Sequence, residues 1–189
     1  MCNVGPTGPR PLILIVGSGP DAPGWLERWQ ARLDAFDQVF AINHAWILMK
    51  RPYIWAHSID VKQDRPAKGD PMLRGEVTGS AYAPYKETPN YYAGGRTMLL
   101  SVTYHALNSY PGAVVGVIGN NLTYEGPQTH FYGTGGKDPL RYGLPWLTRN
   151  LSILDKAGEL YNLSPVSVSL LPFKKAALDE FISRYRGTL

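Results

Sequence analysis

Cysteine is almost absent. Cys2 is the only one in 189 residues, which excludes an intrachain disulfide and a cysteine-based metal cluster and fits a reducing compartment. No apolar run is long enough to cross a bilayer, and the first ten residues, rich in glycine and proline, lack the apolar core of a signal peptide. A cytoplasmic protein with no membrane partner is therefore expected. The Gly-Lys-Ser/Thr of a P-loop is missing, as is the third glycine of the dinucleotide fingerprint, and no paired acidic motif stands out. Charge of one sign is scarce too: 19 Lys and Arg against 15 Asp and Glu leave a net charge of +4. So mild a balance reads as a solvated surface or as a preference for anionic ligands, nucleic acid among them. No internal repeat or heptad run is visible.

What is present begins with Leu12–Asp21, LILIVGSGPD. Five aliphatic residues without alternation fit a strand buried on both faces, as in the middle of a parallel sheet. The loop Gly17-Ser18-Gly19-Pro20-Asp21 then leads into a helical pattern. Backbone N–H groups and the positive end of the helix dipole converge at such a turn, so the loop is expected either to hold a phosphate or other anion or to be a plain strand-to-helix turn. Glycine suits the first role because a ligand can approach a backbone that carries no side chain.

Residues 1–11 read as a flexible lead-in and 12–189 as one domain, a length sufficient for a sizeable core. Trp25, Leu26, Trp29, Leu33 and Phe36 recur near helical spacing, which predicts an amphipathic helix over Gly24–Ala35. Val39–Ile42 reads as a second strand ending at Asn43, whose amide suits ribose or base recognition and equally suits a helix cap. Tyr53–Ser58 reads as a third, delivering His57 and Asp60 to the same edge; His57 fits a packed strand residue or a catalyst. Residues 61–93 are proline-rich with few periodic apolar positions, and Tyr82, Tyr85, Tyr91 and Tyr92 favour a lid or insertion that orders over a ligand.

Gly94-Gly95-Arg96-Thr97 opens a buried helix of about three turns and offers a second anion cradle through Gly95 and Thr97. Ala113–Ile118 is a second fully buried strand, followed by Gly119-Asn120-Asn121 and then by a loop holding Tyr124, His130 and Tyr132. No apolar pattern explains His130, so it reads as a general base or phosphate contact, or as a structural residue. Leu144–Ala157 reads as an amphipathic helix, Leu160–Leu163 as a short strand and Lys174–Arg186 as a closing helix. This alternation predicts a single α/β domain of Rossmann character, a mostly parallel sheet flanked by helices, with ligands at the carboxyl ends of its strands. Trp25 and Trp29 fit either the core or the interface of a homo-oligomer.

Together, GSGP after strand one, AINH at the end of strand two, the glycine-rich start of the long helix, GNNLTY, THFYG and YNLSPVS resemble a Rossmann-like superfamily. It includes the bacterial CMP-dependent sialyltransferases, motility-associated glycosyltransferase-like proteins and 6-hydroxymethylpterin diphosphokinases; many phage-encoded proteins of unassigned role look like this too. The resemblance covers most of residues 12–172. It implies nucleotide contacts by Gly17, Ser18, Gly19, Pro20 and Asn43, with Gly95, Thr97, Asn120 and Asn121 at the same edge, and base contacts by Ser164 and Ser167. It implies phosphate contacts by Tyr124 and Tyr132 and a general base at His130, although in the sialyltransferases that base lies further beyond its strand. An acidic residue common in the family near Gly119–Asn121 is missing here, so no metal ligand is assigned.

The function so implied is a metal-independent glycosyltransferase whose substrate is a nucleotide-sugar donor and whose acceptor is an unidentified hydroxyl, DNA included, with no further cofactor. One alternative is a Mg-ATP-dependent diphosphokinase acting on a pterin-like alcohol, with Asp21, Asp60 and Asp64 as the best-placed carboxylates. The other is a non-catalytic nucleotide- or nucleic-acid-binding accessory protein of a phage.

Overall fold

The structure, a computed structural model, describes residues 9–58, 64–78, 97–122, 144–165 and 169–187. Its centre is β1 (Leu12–Val16), all five residues of which are fully buried. The strand is covered on both faces, which is why its sequence does not alternate. Ile13 and Ile15 pack with α2 (Met98–Ser109) and α3 (Leu144–Ala157), while Leu12, Leu14 and Val16 pack with α1 (Ala22–Trp29) and α4 (Leu178–Arg186). Burying each of these aliphatic side chains contributes about 1.5–3 kcal/mol.

Around β1 runs a seven-stranded sheet of order β4-β3-β2-β1-β5-β6-β7. Its strands are β2 (Gln38–Ile42), β3 (Tyr53–His57), β4 (Leu73–Thr78), β5 (Val114–Ile118), β6 (Glu159–Asn162) and β7 (Lys174–Lys175), and every pairing is parallel. The chain builds outward from β1 to β4, then crosses through α2 to start the other half at β5. The order of the strands therefore reverses between β1 and β5, and an open α/β sheet binds its ligands outside the carboxyl ends at such a reversal. The expected α/β domain of Rossmann character is what the structure has. Among the described residues no helix is long and apolar enough to cross a membrane.

Three local expectations need correction. The predicted helix over Gly24–Ala35 is α1 followed by a 3₁₀ helix at Gln30–Ala35; the winding changes at Trp29, whose φ of −116° and ψ of 9° leave the α region. The segment 61–93 is not all lid, because Leu73–Thr78 pairs with β3 as the edge strand β4. Its residues are half-buried or exposed, so the hydrophobic signal of a strand is faint and its order comes from the neighbour. Lys174 and Lys175 pair with Tyr161 and Asn162, and the last helix starts only at Leu178.

At the amino edge the two ends of the described chain are tied together. Glu159 accepts hydrogen bonds from Tyr161, Tyr185 and Arg10, and Arg10 also donates from Nε to the Gly112 carbonyl at 2.8 Å. Arg186 pairs with Asp37 and donates to the carbonyls of Ala35 and Arg10. Burial would raise the Glu159 carboxyl, but the bonds from Tyr185, Arg10 and Tyr161 outweigh it and bring it down to about 2. Since this folded value lies below the ordinary 4.5, the stability it contributes is present above about pH 4.5 and is lost as pH falls towards 2. Melting temperatures of the parent and of Glu159→Gln should therefore converge over that acid range; a gap unchanged with pH would contradict the assignment.

Candidate functional site

The loops after β1 and β5 meet at the carboxyl edge. Gly17 N–H donates to the Ile118 carbonyl and Gly19 N–H to the Gly119 carbonyl, each at 2.8 Å, and Ala22 N–H turns back to Gly19 at 3.0 Å. The approach leaves no room for side chains: a Cβ on Gly17 would lie 2.1 Å from Asn120 Nδ2, and one on Gly19 would lie 2.8 Å from the Gly119 oxygen. Gly119, at φ +67°, is held as tightly, with the Gly17 oxygen 2.8 Å from where its Cβ would stand. The glycines that suggested an open cradle thus serve first to let two backbones touch. Two of the loop's N–H groups are committed to protein acceptors, Pro20 offers none, and Ser18 is the remaining donor position between Gly17 and Asp21.

Behind this contact lies a buried polar chain. The Ser164 hydroxyl oxygen accepts the Gly119 N–H at 3.0 Å, and Ser164 N–H donates to Asn162 Oδ1 at 3.1 Å. Asn162 Nδ2 donates to Ser169 Oγ at 2.9 Å, and Ser169 and Leu170 both donate to the Asn121 carbonyl. Ser164, at 2% exposure, is therefore a brace between β5 and β6. Asn162 and Ser169 belong to the site without having stood out in the sequence, although an asparagine closing a buried strand is the same signal that singles out Asn43.

Asn121 Nδ2 donates to Asp21 Oδ1 at 2.8 Å and so joins the two loops by their side chains. The other oxygens of this pair, Asp21 Oδ2 and Asn121 Oδ1, are both buried with no hydrogen-bond partner among the described residues. Two buried acceptors side by side without a donor are unfavourable, an arrangement that protonation of the carboxyl relieves. Burial pushes the Asp21 carboxyl up against the opposing bonds from its own N–H and from Asn121.

The other anticipated residues fall around this centre. Asn43, in the left-handed region at φ +50°, accepts the Ser58 N–H on Oδ1 at 3.2 Å and the Trp55 indole N–H on its carbonyl at 2.8 Å. It clips the ends of β2 and β3 together instead of capping a helix with its side chain. Thr97 caps α2, its Oγ1 accepting the Leu100 N–H at 3.3 Å. Asn120 packs beside Gly17 and donates to the Ile118 carbonyl at 3.2 Å. His57 is fully buried, stacked on Trp55 with ring centroids 3.8 Å apart and 2.8 Å from Glu76 Oε1, as a packed strand residue is. Asp64 is bonded to His44 at 3.0 Å. Tyr124, His130, Tyr132, Gly95, Ser167 and Asp60 lie outside the described residues, as do Tyr82, Tyr85, Tyr91 and Tyr92.

Among the described residues no group of three or more His, Cys, Asp or Glu could hold a metal ion. Comparison with protein-family models, with curated proteins and with solved structures finds no match for this chain.

Two measurements follow from this geometry. Gly119→Ala places a Cβ against backbone in a left-handed conformation and should lower stability by about 1–3 kcal/mol in urea unfolding; an unchanged midpoint would mean that the loops are not in contact. For Asp21, a folded value above the ordinary 3.8 means that its favourable contribution is complete below about pH 3.8 and fades as pH rises through the folded value. Asp21→Asn, which keeps the shape without the charge, should therefore gain stability over the parent progressively as pH rises from 4. A difference that does not vary with pH would refute this.

Proposed function

We propose that the chain is a cytoplasmic nucleotide-binding transferase that moves a sugar from a nucleotide-activated donor to a hydroxyl acceptor. The observation that carries the reading is the reversal of strand order between β1 and β5, with Ser18, Asn120, Asp21 and Asn121 gathered at the loops on its carboxyl side. Such a crevice suits a nucleotide because both loops offer side-chain donors and acceptors on rigid strand ends. In this reading Ser18 and Asn120 contact the phosphate-bearing end, and Asn43, after the neighbouring strand β2, reaches the ribose or base.

The chemistry assigned to Tyr124, His130 and Tyr132 rests on the sialyltransferase resemblance. His130 takes the proton of the acceptor hydroxyl while that oxygen bonds to the anomeric carbon. The bond from that carbon to the nucleotide phosphate breaks, and the phenols of Tyr124 and Tyr132 donate to the leaving phosphate as its charge grows. Of the carboxylates a diphosphokinase would use to hold Mg²⁺, Asp21 and Asp64 are bonded to Asn121 and His44 and Asp60 lies outside the described residues; the glycosyl reading is preferred on the resemblance.

Calorimetric titration with CMP, UDP, GDP and ATP, each with and without Mg²⁺, tests this. One nucleoside mono- or diphosphate should bind without metal, and Asn120→Ala should weaken it about tenfold, equivalent to about 1.4 kcal/mol. Binding of ATP only with Mg²⁺ would overturn the proposal in favour of the diphosphokinase. No nucleotide binding would point to the accessory protein, and steeply salt-dependent affinity for DNA would then give it a partner. His130→Ala should abolish transfer and leave nucleotide affinity intact.

A further inference from the structure

A cavity of about 590 Å³ opens at the carboxyl edge between α1 and α4, lined on one side by Asp21, Trp25, Arg28 and Trp29 and on the other by Lys175, Leu178 and Glu180. Its size suits a ligand of one or two rings. It adjoins the crevice between the β1 and β5 loops through Asp21, whose carboxyl bonds Asn121 of the second loop. The indoles of Trp25 and Trp29 form a notch, with centroids 6.4 Å apart and planes inclined at 56°, and the Arg28 guanidinium lies 5.8 Å from the Trp29 ring centre. Across the cavity, α4 begins at Ala177, which has no side chain able to cap the N–H groups of the first turn.

Different occupants fare differently against this lining. A phosphate would be held by Arg28 and Lys175 but would leave Trp25, Trp29 and Leu178 uncovered and face the Glu180 carboxylate. A hydrocarbon would cover carboxylates and first-turn N–H groups while giving them nothing to bond. A flat base gains most between parallel planes, and the two indoles are not parallel. A sugar ring meets each demand: its C–H faces pack on inclined indoles, and a hydroxyl both donates to a carboxylate and accepts from an N–H or guanidinium.

We infer that this cavity is a carbohydrate subsite, with the ring seated on Trp25 and Trp29 and its hydroxyls shared among Glu180, Arg28, Lys175 and the first turn of α4. Its use as the place where a sugar acceptor waits beside the donor rests on the transferase reading; the binding itself does not.

Saturation-transfer NMR on the full chain without nucleotide, using a panel of neutral mono- and disaccharides with free nucleosides as the contrast, tests the binding. At least one sugar should receive saturation on its ring C–H protons, and its affinity should fall about tenfold in Trp29→Ala. Glu180→Gln, at an exposed position, should weaken it severalfold, and it serves alone if Trp29→Ala no longer melts cooperatively. Absence of transfer to every sugar would overturn the inference, as would sugar signals that neither variant changes, or Trp29-dependent transfer to nucleosides alone. Nucleotide binding without sugar binding would leave the transferase reading standing. Sugar binding without nucleotide binding would leave the subsite standing by itself.

Discussion

Two backbone hydrogen bonds, from Gly17 to Ile118 and from Gly19 to Gly119, continue the β1–β5 pairing beyond the ends of the strands. They require glycine at three positions, because each missing Cβ is occupied by the opposite loop. Closing the loops in this way uses up backbone donors that a phosphate cradle would otherwise employ. In the function proposed above, recognition at this edge therefore passes from the main chain to side chains: Ser18, Asn120 and the Asp21–Asn121 pair. The loops are fixed by strands buried on both faces, so those side chains start from a rigid base.

The polar groups beneath the edge form one connected set. Ser164, Asn162, Ser169 and Asn121 link the ends of β5 and β6 and the segment leading to β7. Each holds a neighbouring backbone group or side chain, which is how a buried polar cluster avoids the cost of leaving water. The exception within this set is the outer pair of oxygens on Asp21 and Asn121. An acid and an amide side by side at the point where two loops join make that joint sensitive to one proton.

The layered α/β architecture was legible because its evidence is local. A short apolar run without alternation, bounded by turn residues, fits a central parallel strand, and Leu12–Val16 and Ala113–Ile118 both read that way. The helical spacing of Trp146, Leu147, Leu151 and Leu154 marks α3 as amphipathic. Elements whose order comes from a neighbour were harder to see: β4 holds Arg74, Gly75 and Glu76 and takes its strand geometry from β3, and β7 is two exposed lysines beside β6. At the site, the sequence named Gly17, Gly19, Asn120, Asn121 and Ser164, all of which come together. It did not reveal that the glycines face each other, since residues 100 positions apart leave no periodic trace. Nor did it separate Asn43 as a clip between strands from Asn43 as a ligand contact, because the same amide serves both.

Arg10 and Arg186 touch at the amino edge, while the crevice and the cavity beside α4 lie at the carboxyl edge. α4 starts beside the cavity and carries the chain back across the whole height of the sheet. Residues 10 and 186 thus meet at one corner of the sheet, opposite the edge that carries the joined loops. Fraying at that corner is separated from the joined loops by the full length of β1.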